Sequence, residues 1–202
     1  MTLENTQAVQ AVDADASPSV LSDPDALRAR IAELEAIVGK RARRKKRRPD
    51  DFYETPQWCT QEVLHRLPDG AVFDPCAGTG AILRACILAG RYAHGVELDA
   101  GRASSPVAGV GGRLSQGDGL AALESDHPLI VMNPPYATAE AWVRAAVRPG
   151  RVVAVLLRLG FLASTSRKAL FLDVGTPDVY VLTRRPSFTG GTDCTDYGWF
   201  VW

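Results

Sequence analysis

From Phe52 to the C-terminus, short apolar runs alternate with segments of helical periodicity, and this alternation constrains the fold more than any other feature. Strands are predicted over residues 71–75, 92–98, 113–117, 129–132, 151–159, 178–184 and 197–202, each rich in Val, Ile, Leu or aromatic residues. Helices are predicted between them over Thr79–Ala89, closed by Gly90, over Ala139–Val147, stopped by Pro149-Gly150, and over Ser164–Leu172. The segment Gly101–Gly112 holds four glycines and Pro106, so any helix there is short or irregular. Strands separated by crossover helices pair in parallel, which predicts an α/β fold. The expected architecture is a doubly wound, Rossmann-like sheet of about seven strands, with the last two forming an antiparallel pair.

The first fifty residues read differently. Residues 1–22 lack periodicity and are expected to be disordered. Ser22-Asp-Pro-Asp25 is a helix start, and Leu27, Ile31, Leu34 and Val38 then form an apolar seam that Gly39 closes. Over 23–39 two readings stand: a short, marginal amphipathic helix, or a small coil that pairs weakly with a second copy of the chain. Residues 40–50 are a basic linker. Eight of the nine residues 40–48 are bases, whereas residues 49–202 hold thirteen bases and sixteen acids. The zero net charge therefore conceals a basic arm beside a mildly acidic body. Arg41, Arg43, Arg44, Lys45, Lys46, Arg47 and Arg48 are expected to contact nucleic-acid phosphates. Residues 51–202 form the folded domain. No run of eighteen apolar residues occurs, so no membrane span is expected. Cys59, Cys76, Cys86 and Cys194 form no C-x-x-C pair and the three histidines stand apart, so neither a metal site nor a disulfide framework is expected, and a reducing cytoplasm is the expected compartment.

Two strings carry the chemistry. Asp74-Pro-Cys-Ala-Gly-Thr-Gly80 follows a strand and opens a helix. In open parallel sheets, ligands sit beyond the carboxyl ends of the strands. Gly78 and Gly80 let the backbone approach a ligand, and the helix N-terminus presents free N–H groups. Glu97 ends the next strand, nineteen residues after Gly78, where an acid grips a ribose diol in nucleotide-binding folds. Leu83 stands where a phosphate-binding third glycine would be, which favours a nucleoside without pyrophosphate. Asp118, in Gly117-Asp118-Gly119, is placed to accept a hydrogen bond from an adenine amine; the alternative is an ordinary turn residue.

Asn133-Pro-Pro-Tyr136 is the more specific string. Its prolines stiffen the backbone and lack N–H donors, leaving carbonyls as acceptors. The Asn133 side-chain oxygen and the Pro134 carbonyl together suit one planar NH2 group, with Pro135 fixing the turn and Tyr136 offering a face for a flat substrate.

Together these strings resemble the amino-methylating class I methyltransferases, most of all the group that acts on adenine N6 in DNA. Phe52-Tyr-Glu-Thr-Pro56 resembles that group's additional cofactor motif, and Arg185–Trp202 resembles the end of phage and prophage members. The resemblance covers residues 52–202. It implies S-adenosyl-L-methionine as cofactor, held by Thr55, Asp74, Gly78, Gly80, Glu97 and Asp118, with Asn133, Pro134, Pro135 and Tyr136 catalytic. It implies DNA as partner. Arg184 and Arg185, before a Gly/Thr/Asp loop at 188–196, are further expected nucleic-acid contacts. No target-recognition domain is visible, which separates the chain from larger members. RNA, a protein glutamine amide, and a non-catalytic DNA-binding relic remain as alternatives.

Overall fold

The computed structural model describes residues 53–105, 112–188 and 194–202. The expectations for 1–22, for 23–39 and for the basic residues 40–50 lie outside the described residues, as does most of the loop at 188–196.

Apolar β-rich runs become seven strands: β1 (Val72–Asp74), β2 (Ala93–Glu97), β3 (Arg113–Gln116), β4 (Leu129–Met132), β5 (Val152–Arg158), β6 (Asp178–Val181) and β7 (Tyr197–Val201). The helices are α1 (Gln57–Leu64), α2 (Ala81–Leu88), α3 (Ala100–Ala103), α4 (Gly119–Ala122), α5 (Ala139–Ala146) and α6 (Lys168–Val174). The strands form one sheet in the order β3-β2-β1-β4-β5-β7-β6. All pairs from β3 to β5 are parallel, whereas β7 runs antiparallel to both β5 and β6. The expected doubly wound sheet with its C-terminal antiparallel pair is thus present.

Side-chain alternation divides the core between the two faces. Val72, Ala93, Val131, Leu156 and Trp199 point to one side with Cys59 and Val63 of α1 and Leu83 and Cys86 of α2. Phe73, Ile130, Met132, Val155 and Phe200 point to the other, with Val143 of α5 and Leu170 of α6. Covered on both faces, β4 is buried at all four positions. The terminal aromatics belong to this core: Trp199 and Phe200 are wholly buried, and the Trp199 indole donates to the Cys59 carbonyl at 2.7 Å, tying β7 to α1.

Several boundaries differ from the expectations. Helix α1 was not predicted; its buried residues Cys59, Thr60, Val63 and Leu64 form a face interrupted by polar neighbours, and no side chain caps its start. The helix expected from Thr79 begins at Ala81, because Gly80 at φ 82° ends the turn in the left-handed region. The predicted helix 164–172 is a 3₁₀ turn over Thr165–Arg167 followed by α6. The strand predicted to Arg184 stops at Val181.

Two features of the loops fix the sheet's carboxyl end. After β3 the chain passes so close to the turn after β1 that a Cβ on Gly119 would lie 1.7 Å from the Pro75 carbonyl oxygen. Strand β1 also ends on a wholly buried carboxyl. Burial pushes Asp74 up to about 7; the Cys76 backbone N–H and thiol oppose the shift, and the neighbouring Glu97 adds to it.

Gly119→Ala should therefore cost about 3 kcal/mol, since the obstructing atom is backbone. Gly160→Ala, where a Cβ meets nothing within 4 Å, should change stability by less than about 0.5 kcal/mol. Urea unfolding of both variants checks this. Asp74 holds its proton in the folded state across a range where the unfolded chain releases it. Its contribution to stability is full below about pH 4 and is lost as pH rises through about 7. Asp74→Asn should remove that component, worth up to about 4 kcal/mol, from the difference between unfolding free energies at pH 4 and pH 8.

Candidate functional site

The sheet order reverses at β1, which has β2 on one side and β4 on the other. Connections diverge there and leave a crevice beyond the carboxyl ends of the strands. A cleft of about 460 Å³ occupies that position. Its walls come from the turn after β1 (Asp74 to Thr79), the ends of β2 (Glu97, Leu98), β3 (Asp118 to Leu120) and β4 (Asn133, Pro135), and residues 53–55 ahead of α1.

The turn is held by backbone and carboxylate bonds. Asp74 Oδ1 accepts from the Cys76 N–H at 3.0 Å, and the Ala77 N–H donates to the Val96 carbonyl at 3.0 Å. The Gly78 N–H donates to Glu97 Oε2 at 2.9 Å. Glu97 is buried, and its Oε1 accepts from the Asp99 N–H and the Arg102 guanidinium. One further acceptor position on Oε2 remains for a hydroxyl. Gly80 does not line the cleft; it is the N-cap residue of α2. Asp118 does line it, and its Oδ1 caps α4 by accepting from the Leu120 and Ala121 N–H groups. Leu98 and Leu120, 73% and 39% exposed, add apolar walls at the mouth. Burial also pushes the Cys76 thiol well up, beside Asp74 on one side and the Asn133 backbone on the other.

At the end of β4 the Asn133 amide nitrogen donates to Thr55 Oγ1 at 2.9 Å and to the Tyr53 carbonyl at 3.3 Å. Its Oδ1 is buried and has no hydrogen-bond partner among the described residues. An unmatched buried acceptor costs about 1–3 kcal/mol, so an interior retains one where a ligand supplies the missing donor. Pro134 is buried, and the Pro135 carbonyl accepts from the Thr138 N–H at 3.0 Å.

Tyr136 lies beside the cleft rather than in its wall. Its ring sits in an aromatic cluster, stacked on Tyr53 at 6.0 Å, near Phe188 and Tyr197, with the Arg158 guanidinium 5.1 Å from its centre. Arg184 and Arg185 are also engaged locally. The Arg184 guanidinium lies 4.2 Å over the Trp58 ring, and Arg185 pairs with Asp196 at 2.8 Å. Neither lines the cleft.

The structure thus brings Thr55, Asp74, Gly78, Glu97, Asp118, Asn133 and Pro135 together and sets Gly80, Pro134, Tyr136, Arg184 and Arg185 outside the cleft wall. Sequence reasoning missed Tyr53, Arg102 and Trp142 as cleft residues. It also missed Glu54, which lines the cleft and accepts from the Thr79 hydroxyl at 2.9 Å and from Arg84 at 2.8 Å, anchoring residues 53–55 across the turn. Only the placement of residues 53–55 in the resembling motif hinted at this. Among the described residues, no group of three or more His, Cys, Asp or Glu side chains is placed to hold a metal ion, and no helix is long and apolar enough to cross a membrane.

No family model matches the sequence, and no curated protein matches it. In three dimensions it is similar to solved structures. A candidate class I S-adenosylmethionine-dependent methyltransferase from Listeria monocytogenes aligns at TM-score 0.53 and 16% identity, over 72% of this chain and 56% of that one. A candidate RNA methyltransferase from Pyrococcus horikoshii aligns at 0.55 and 15%, over 72% and 79%. The 23S rRNA methyltransferase ErmE aligns at 0.54 and 15%, over 74% and 62%. The chain spans little more than half the length of the Listeria protein and less than two thirds of ErmE. At these identities the likeness is one of fold, and the fold of this chain is that of class I methyltransferases.

Proposed function

We propose that this chain transfers a methyl group from S-adenosyl-L-methionine to N6 of adenine in DNA, as an enzyme of the phage and prophage kind that its C-terminal stretch resembles. The observation that carries the reading is the buried Asn133 Oδ1, an acceptor without a donor among the described residues, on a residue that lines a nucleoside-sized cleft. An exocyclic amine is the donor it lacks. Accepting from that amine keeps the nitrogen lone pair from delocalising into the ring and leaves it available for a new bond.

The cleft's residues fit the cofactor. Glu97, fixed through Gly78 and Arg102, is placed to accept from ribose hydroxyls. Leu98 and Leu120 give a flat ring apolar surfaces, with Asp118 beside them. Residues 53–55 line the cleft at Asn133, which bonds the Tyr53 carbonyl and Thr55. S-adenosylmethionine held there supplies an electrophilic methyl group on a sulfonium. The chain's own part is positioning and charge placement, which account for much of catalysis in such sites.

A base reaching Asn133 has left the helical stack, at a cost of a few kcal/mol. The Tyr53, Tyr136 and Phe188 rings form an aromatic wall next to Asn133, and stacking on such a ring returns about 1–3 kcal/mol. A purine gains more from it than a pyrimidine. The basic residues 41–48 supply sequence-independent phosphate affinity, which the mildly acidic body lacks. With its targets and unpaired cysteines, the enzyme belongs in a reducing cytoplasm. A second reading, RNA as substrate, is favoured by two structural neighbours that are named as RNA methyltransferases.

The test incubates the full chain and labelled cofactor with duplex DNA, and separately with RNA, then digests each to nucleosides for mass analysis. N6-methyldeoxyadenosine as the main product is expected. N4-methyldeoxycytidine would sink the adenine assignment, and label confined to RNA would sink the DNA assignment.

A further inference from the structure

We propose that the Thr55 hydroxyl is a positioning group: it holds the Asn133 amide so that Oδ1 faces the amine to be methylated. This rests on the methyltransferase reading above and deepens it, because the resemblance alone assigns Thr55 to the cofactor.

An asparagine side chain is nearly symmetric in shape. Its nitrogen and oxygen occupy similar space, so only hydrogen-bond partners decide which end points where. Here both partners lie on one short segment. The Tyr53 carbonyl is an acceptor only, so it demands the nitrogen. At 3.3 Å that bond is long. The bond to Thr55 Oγ1, at 2.9 Å, is the better one. Thr55 is 5% exposed, so bulk water does not readily replace its hydroxyl. The segment is itself anchored, since Glu54 accepts from Thr79 and Arg84 on the far side of the cleft. Turning the amide over would put Oδ1 against the Tyr53 carbonyl oxygen and leave the nitrogen aimed at the substrate's own donors. The Tyr53 carbonyl therefore sets which end is the nitrogen, and Thr55, through the shorter bond, holds the amide there with Oδ1 toward the reacting amine.

Thr55→Val keeps the shape and removes the hydroxyl. Thr55→Ser keeps the hydroxyl. At saturating cofactor, Thr55→Val should lower kcat about tenfold or more, and Thr55→Ser should stay within about threefold of wild type. A role in cofactor binding alone would raise the cofactor Kd and leave kcat at saturation unchanged; that result would overturn the proposal. A second readout needs no turnover. In protein labelled with ¹⁵N-asparagine, the Asn133 side-chain amide protons should exchange slowly in wild type and in Thr55→Ser, and fast in Thr55→Val. Equal protection in Thr55→Val and wild type would equally overturn it. A wild-type protein inert on DNA and RNA would sink the functional reading, yet leave the exchange experiment decisive for the amide anchor.

Discussion

The hydrogen bond from the Gly78 N–H to the buried Glu97 carboxylate organises the carboxyl end of the sheet. It joins the turn after β1 to the end of β2 across nineteen residues of chain. The same turn receives the loop after β3, where Gly119 lies against the Pro75 carbonyl with no room for a side chain. It also meets the end of β4, where the Asn133 backbone bonds the Cys76 sulfur. Four strand ends thus converge on residues 74–78. A hydrogen bond of this kind to a charged group is worth roughly 1.5–3 kcal/mol in stability, but its larger effect is geometric. It fixes the shape of the cleft wall before any ligand arrives.

That shape gives the polar groups their chemistry. Asp74 is buried at the start of the turn and carries a raised affinity for its proton, whereas the Glu97 carboxylate is held by two backbone N–H groups and a guanidinium. Two carboxyl groups at neighbouring strand ends are therefore given different environments. Across the cleft, residues 53–55 lie between the glycine turn and Asn133, with Glu54 bonded to one and Thr55 to the other. The cofactor end and the substrate end of the proposed site share this one strap, and Asn133 Oδ1, a buried acceptor unmatched among the described residues, lies at its far end.

Much of this was legible in the sequence because it is encoded locally. Strand β4 is a run of four apolar residues, β5 is dense in Val and Leu, and the glycines after β1 mark their own turn. Parallel pairing followed from the alternation with helices. What escaped depended on distant partners. Helix α1 has no capping side chain, and its apolar face is defined by the sheet it packs on, including a bond from Trp199, 140 residues away. The Asn133–Thr55 bond spans 78 residues, so nothing in either motif announces it. The rings that meet Tyr136 come from residues 53, 188 and 197, which no local pattern brings together.

The proposed role of Asn133 Oδ1 as acceptor for the reacting amine is tested by steady-state turnover of Asn133→Ala on duplex DNA. Loss of one preorganised group of this kind should lower kcat about a hundredfold or more, while the cofactor Kd, set by the other strand ends, stays within about threefold of wild type. Near-normal turnover in Asn133→Ala would rule Asn133 out as that acceptor.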